Sequence, residues 1–374
     1  MNNFIKISII ALLGGLLAVL SSCTNGGVDD PGSGFDRPAM LNNYGNNLII
    51  PSYESLKSSV DDLDAAAGAF STEPTPSNLS ELQNELKTAR LAWQDAAMYQ
   101  FGPAEMNVLR AVLNTYPADT DKVNSNIESG DYNLETLENR AAAGFPALGY
   151  LLHGIGDSNE EIVIQYTSDQ NASNRMAYLQ DNVDYIKEST DATLNAWLPD
   201  GGNYIETFLS DDNAGTDVGS SLGMMVNALV LHYERFMRDG KIGIPAGVRS
   251  AGVPRPEAAE SFYAGYSLEL AIANLQAIKR IYLGTGLNTG DGLGFEENLI
   301  SLDAAGLSDE IVTEIDQAIA ALQDLNDPLS QQIENNNDPV LTAFQELQDV
   351  VVLLKADMAS ALGVTITFQD NDGD

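Results

Sequence analysis

The sequence is poor in the residues that most site chemistry needs. One cysteine in 374 residues excludes an internal disulfide, a four-cysteine zinc site and any Cys-x-x-Cys redox centre. Two histidines, His153 and His232, leave little room for a multi-histidine metal catalyst. Basic residues are scarce too: 18 Lys and Arg stand against 54 Asp and Glu, a formal net charge of −36. Phosphate backbones are held by clustered Lys and Arg, so this deficit argues against a nucleic-acid partner. The apolar run from Ile7 to Leu20, interrupted by Ser8 and small residues, is too short for a comfortable membrane span. What the chain does have is 44% apolar residues, enough to bury a sizeable core and unlike a disordered acidic tail. Its length exceeds one ordinary domain, so two domains are expected.

Lys6 ahead of the apolar run makes residues 1–22 a secretory signal. Leu20-Ser21-Ser22-Cys23 follows and resembles a bacterial lipobox. That resemblance implies cleavage before Cys23 and lipid on its sulfur and new amino group. The chain would then be anchored to the outer membrane, on its periplasmic or its cell-surface face. Lipidation consumes the sole thiol and removes thiol catalysis. Residues 23–47 are rich in Gly, Asn, Asp and Pro, as in Asn25-Gly26-Gly27-Val28-Asp29-Asp30-Pro31-Gly32. Such a stretch reads as a flexible tether. Acidic residues soon after a lipidated cysteine resemble the surface-export signal of lipoproteins in the Bacteroidetes.

The body reads as all-α. Tyr53, Leu56, Val60, Leu63 and Ala67 recur at spacings of three and four, which predicts a helix over 51–69. Leu79, Leu82, Leu86, Ala89, Trp93 and Ala96 do the same over 79–100, with Asn78 and Glu81 as a capping box and Gly102-Pro103 as the stop. Shorter helices are expected over 104–113 and 146–153, and longer ones over 172–197, 218–238, 256–282, 308–324 and 338–362. Val364, Ile366 and Phe368 alternate with polar residues, so a short extended tail follows the last helix. Two helical-bundle domains result, 48–165 and 166–374. A weak echo between Phe101-Gly102-Pro103-Ala104 and Gly243-Ile244-Pro245-Ala246 hints at duplication.

Several motifs reduce to structural roles. Gly219-Ser220-Ser221-Leu222-Gly223 fits a nucleophile elbow, but that device needs a strand before the turn. A loop precedes it here and a helix follows, which makes Ser220 or Ser221 an N-cap. The glycines of 284–294 lack the strand, the Lys-Ser/Thr and the basic residues of a phosphate loop. Asp370, Asp372 and Asp374 open like a calcium loop without its remaining ligands. His232 and Glu234 are two residues apart, about 200° around a helix, so only one of them is expected to face the interior. Glu234 shares a stripe with Val230, Met237 and Lys241. Glu260 and Glu269 fall on one predicted helix, with their carboxylates on different sides.

Several segments together resemble the imelysin-like family. They are Phe101-Gly102-Pro103-Ala104, Asn114-Thr115-Tyr116-Pro117-Ala118-Asp119, Gly144 through Leu152, Lys241 through Gly247, and Leu362 through Phe368 with its acidic tail. The resemblance implies an all-helical, two-domain protein outside the cytoplasm, associated with iron uptake, with a site between the domains. It also implies a metallopeptidase motif, G-x-H-x-x-E at the start of a helix. The chain reads Gly144-Phe145-Pro146-Ala147-Leu148-Gly149 there. Proline replaces the histidine and glycine the glutamate, so both groups that could hold a metal or move a proton are gone. Proline suits a first helical turn, so the backbone survives the loss. His153 lies about 10.5 Å further along the axis and cannot substitute.

The expected function is therefore non-catalytic binding of a ligand or of a metal or iron complex. A metal-dependent peptidase with altered ligands and a structural envelope protein that docks other chains are the alternatives. The residues expected to line a remaining site are Tyr150, His153, Glu234, Arg235, Glu260 and Ser267. Iron or another divalent metal is the candidate cofactor. The expected partners are iron-uptake proteins and the membrane, the latter through Cys23.

Overall fold

The computed structural model describes residues 34–369, and among them the chain is helical, with one isolated bridge between Gly286 and Gly290 and no strand. The all-α expectation holds. The signal segment, Cys23 and the acidic residues Asp370, Asp372 and Asp374 lie outside the described residues. No helix among the described residues is long and apolar enough to cross a membrane.

Local chemistry explains where the helices begin and break. The helix Pro76–Ala96 starts earlier than expected because the Thr75 hydroxyl accepts a hydrogen bond from the Asn78 amide, at 3.2 Å, with proline in the first turn. The Asn78 side chain reaches back to the Glu73 carbonyl instead of forming the expected box. Val108, at φ 46°, splits the expected 104–113 helix into Pro103–Met106 and Leu109–Leu113. Positive φ values at Ser261 and Gly265 delay the next helix, which runs Ser267–Leu283. Glu260 thus lies in a loop and does not share a helix with Glu269. The Asp327 carboxylate, from a distant turn, accepts from the Leu268 and Glu269 amides and caps that helix.

The expected tether ends early. Asp36 caps a helix at Arg37–Asn43 that continues as π-helix over Tyr44–Ile49. Met40, Leu41, Tyr44 and Leu48 recur at helical spacing and are buried. The Tyr44 hydroxyl donates to the Ile281 carbonyl at 2.9 Å and accepts from the Phe295 amide at 3.0 Å. This stretch is therefore part of the core. At the other end, residues 364–369 are extended without pairing as a strand. The Asn227 side chain holds them, donating to the Thr365 carbonyl at 3.0 Å and accepting from the Thr367 amide at 2.8 Å.

Two sets of helices share one contiguous apolar core. Ile50–Thr72 packs against Pro76–Ala96 and against Ala172–Trp197. That last helix lies beyond residue 165 in sequence but sits with the N-terminal helices. Four aromatic rings close this set around Trp197: Tyr53, Phe101, Tyr204 at 4.9 Å and Phe208 at 5.5 Å between ring centroids. Ala305–Gln323 packs against Asp338–Val352 and against Ser267–Leu283. Ser267–Leu283 also packs against Pro76–Ala96 and so joins the two sets.

The helix Gly144–His153 is pinned at its start. The Gly144 amide donates to the buried Asn182 side chain at 3.1 Å, and its φ of 76° belongs to the left-handed region. A Cβ there would meet the Val112 carbonyl oxygen at 2.4 Å. At Gly149 a Cβ would meet nothing closer than Arg90 Nη1 at 3.4 Å. The two glycines of one helix should therefore respond oppositely to alanine. Gly144→Ala is expected to destabilise by about 2 kcal/mol or more, and Gly149→Ala to be neutral or to stabilise by about 0.5–1 kcal/mol. Urea unfolding of both variants checks this, and equal losses would contradict it.

Candidate functional site

Four stretches border the cavity at Gly149: the helices Pro76–Ala96 and Gly144–His153, residues 116–120, and the loop before Ser267. Arg90 comes from the apolar stripe of its helix, one turn after Leu86 and just before Trp93, and is 1% exposed. Its guanidinium lies over the Tyr266 ring, 5.6 Å from the centroid. None of its three nitrogens has a hydrogen-bond partner among the described residues. It borders a cavity of about 240 Å³ with Tyr116, Pro146, Gly149, Ser261 and Tyr263. Tyr116 and Pro117 also border a second cavity, of about 630 Å³, whose walls include Arg110, Arg235, Phe236 and Ile244.

Behind the smaller cavity lies a set of buried charges. Lys241 donates to Glu260, and both are buried. The Asn114 side chain donates to the other Glu260 oxygen at 2.7 Å. Burial alone would raise the Glu260 carboxyl, but Lys241, Arg90 and the Asn114 hydrogen bond outweigh it and hold it below its usual range. Burial pushes the Lys241 ammonium down, Glu260 opposes this, and the charges of Arg90 and Arg110 add to the depression. Three cations thus act on a region where Glu260 is the neighbouring carboxylate.

Arg110 extends the set. One Nη donates to the Ala97 carbonyl at 2.6 Å and to His232 Nδ1 at 2.9 Å, and the group stacks 3.7 Å from the Phe236 ring centroid. A guanidinium only donates, so His232 Nδ1 accepts and Nε2 carries the proton toward Asn274 Oδ1, at 2.9 Å. Burial first, then the Arg110 charge, keeps His232 well below its usual range and neutral.

The expected site residues do not all meet. His153 lies close enough to Arg90 to feel its charge, and Nε2 is buried without a hydrogen-bond partner. Tyr150 exchanges hydrogen bonds with Asn124 and packs 5.1 Å from Tyr263, a wall of the smaller cavity. The Ser267 hydroxyl donates to the Glu260 carbonyl and fixes the loop that carries this carboxylate. Arg235 borders the larger cavity and donates to the Gln369 carbonyl at 2.9 Å. Glu234 lies elsewhere, buried and paired with Lys355 at 2.7 Å. His232 and Glu234 are both buried, against the expectation that only one would be. The segment His232–Gly243 is π-wound and enclosed on several sides, so the simple two-face picture fails. Ser220 is the N-cap of Ser221–Leu231, accepting from Gly223 at 3.0 Å, and Ser221 donates to the Phe208 carbonyl at 2.6 Å. Both serines are structural.

Sequence reasoning missed Arg90, Arg110 and Asn114. A signal was present for Arg90, since a charge interrupting the stripe Leu79, Leu82, Leu86, Trp93 must be buried with a purpose or a partner.

The walls do not suit a divalent cation. Positions 146 and 149 offer a proline ring and a hydrogen, the nearest charge is a guanidinium, and the nearest imidazole is the single neutral His153. Glu314, Glu346 and Asp349 bring three carboxylates together on the helices Ala305–Gln323 and Asp338–Val352, partly in solvent. That is ordinary on so acidic a surface.

His153 carries a pH consequence. Burial, then Arg90, lowers it to about 4, against about 6.5 in an unfolded chain. Between those values the unfolded state binds more protons, so stability falls as pH drops through that window. The full contribution is up to about 3 kcal/mol. Urea unfolding at pH 7 and pH 5 should show a larger loss in the wild type than in His153→Gln, and equal losses would refute this.

Comparison with known proteins agrees with this fold. The curated iron-regulated protein A of Synechococcus elongatus is 25% identical over 79 residues, a match spanning 21% of this chain and 22% of that protein. A candidate iron-regulated protein A precursor from Parabacteroides distasonis has the same fold, with a TM-score of 0.72, 18% identity and coverage of 87% of this chain and 95% of its own. An imelysin-like protein from Psychrobacter arcticum gives 0.67, 17% identity and coverage of 90% and 99%. The family described as Imelysin matches residues 49–356. A match of that extent reflects the whole fold and not one motif, and the chain belongs to the imelysin family.

Proposed function

We propose that this protein is a non-catalytic, ligand-binding imelysin of the bacterial cell envelope that serves iron uptake, anchored by lipid at Cys23. One observation carries the binding half of this reading. Where the peptidase-type motif would place a histidine and a glutamate, Pro146 and Gly149 face a cavity bordered by the buried, unpartnered guanidinium of Arg90. A buried positive charge disfavours a metal ion, and no group at those two positions can activate water. The iron half is supported by similarity to proteins named as iron-regulated. The anchor is supported by the single cysteine at the end of the signal segment.

A metal-dependent peptidase with altered ligands is the competing reading, and the free Nε2 of His153 is the observation that favours it.

Two measurements test the proposal. The purified protein, exposed to iron, zinc or calcium ions and desalted, should retain only a small fraction of an ion per chain by mass spectrometry, and should not cleave a peptide panel. A strain lacking the gene should grow more slowly and hold less iron than its parent in iron-limited medium. Stoichiometric metal with peptide turnover abolished by His153→Ala would replace the proposal with the peptidase. Unchanged growth and iron content would remove the link to iron.

A further inference from the structure

We propose that the cavity beneath Pro146 and Gly149 is an oxyanion site, in which a carboxylate or phosphate group pairs with Arg90. This rests on the ligand-binding reading of the same cavity and names the chemistry of the ligand.

Four observations converge. Arg90 is 1% exposed, and its Nε and both Nη atoms are buried without a hydrogen-bond partner among the described residues. A guanidinium offers five N–H donors, and buried donors left unpaired cost about 1–3 kcal/mol each. Its contact with the Tyr266 ring satisfies none of them. Secondly, the nearby carboxylate is already taken: Lys241 holds one Glu260 oxygen and Asn114 the other. Three cations, Arg90, Arg110 and Lys241, thus stand against the one carboxylate of Glu260; burial first, and then the charges of Arg90 and Arg110, depress the Lys241 ammonium. The acid on the cavity wall, Glu257, is exposed and pairs with Arg255 at 3.3 Å.

Thirdly, the Ser261 hydroxyl, also on the wall, is buried without a partner, and its residue holds φ 59°. A serine held in the left-handed region beside a cavity is a strained residue of the kind found at ligand sites. It adds a neutral donor to the charged one. Fourthly, a Cβ at position 149 would stand 3.4 Å from Arg90 Nη1. A carboxylate side chain at that position would begin within reach of the guanidinium. Glycine leaves that place open to a carboxylate or phosphate brought by a ligand. At about 30 Å³ per water, the 240 Å³ cavity has room for a small polyatomic anion and not for a folded peptide.

Titration calorimetry on the purified full chain tests this, with sodium phosphate and sodium citrate as separate probes. One of them is expected to bind with one-to-one stoichiometry, and which one does so identifies the phosphate or the carboxylate class. Arg90→Met should weaken binding about tenfold or more, as expected for losing a charge-assisted hydrogen bond. Gly149→Glu should abolish binding by setting the protein's own carboxylate on the guanidinium. That variant starts its side chain on the cavity wall, where a Cβ meets nothing closer than Arg90 at 3.4 Å, so it tests the site even if Arg90→Met fails to fold. Binding of neither probe, or binding indifferent to both substitutions, would overturn the proposal. A third titration separates it from the iron reading. Ferric citrate bound equally well by wild type and Arg90→Met would leave iron binding standing and end the Arg90 assignment. Citrate bound through Arg90, with no effect of iron on affinity or of gene loss on iron-limited growth, would do the reverse.

Discussion

The buried contact between Lys241 and Glu260 is the fixed point of the site. It ties the π-wound segment at 232–243 to the loop before Ser267, and Asn114 bonds the same carboxylate from a third stretch of chain. Removing one member of such a pair leaves an uncompensated buried charge, typically a loss of about 3–5 kcal/mol. The same contact determines what the cavity can accept. Glu260 takes its hydrogen bonds from Lys241 and Asn114, so it feels the charge of Arg90 without accepting from it. The sign of the cavity follows from that prior commitment.

The π-wound segment makes the commitment geometrically feasible. From His232 to Gly243 the residues His232, Tyr233, Glu234, Met237, Arg238, Asp239 and Lys241 are all buried. No ordinary amphipathic face can hide so many polar groups. Each has been given a separate neighbour: His232 meets Arg110 and Asn274, Glu234 meets Lys355, Lys241 meets Glu260, and Asp239 meets Arg249. Irregular winding of this kind is often found at functional sites, and here it borders the larger cavity through Arg235, Phe236 and Gly240.

The fold was legible in the sequence because apolar periodicity reports burial directly. The stripes at 51–69, 172–197 and 338–362 needed no tertiary information. The failures fall where distant contacts override local pattern. Arg37–Ile49 follows a Gly- and Asp-rich stretch, and its burial depends on Tyr44 reaching Ile281 and Phe295, far along the chain. The start at Ser267 depends on Asp327. The site was half legible. The motif segment at 144–149 could be found, and its missing histidine and glutamate could be read. What stands opposite could not be read, because spacing says which residues share a face but not which face meets which. Glu234 illustrates the limit: its stripe with Val230 and Met237 could be read, but not that it is buried together with His232, nor that its partner Lys355 lies on a different helix.

An unpaired guanidinium in the interior is a standing weakness of the fold. Whatever neutralises it binds the native chain and not the unfolded one, and the folded population rises with the ligand's concentration relative to its dissociation constant. Wherever proteases act on opened chains, that ties survival to supply. Copies made when the ligand is abundant are cleared slowly and copies made in its absence are cleared fast, because cleavage follows the population of opened chains. The amount of protein would then report on the ligand without any transcriptional control.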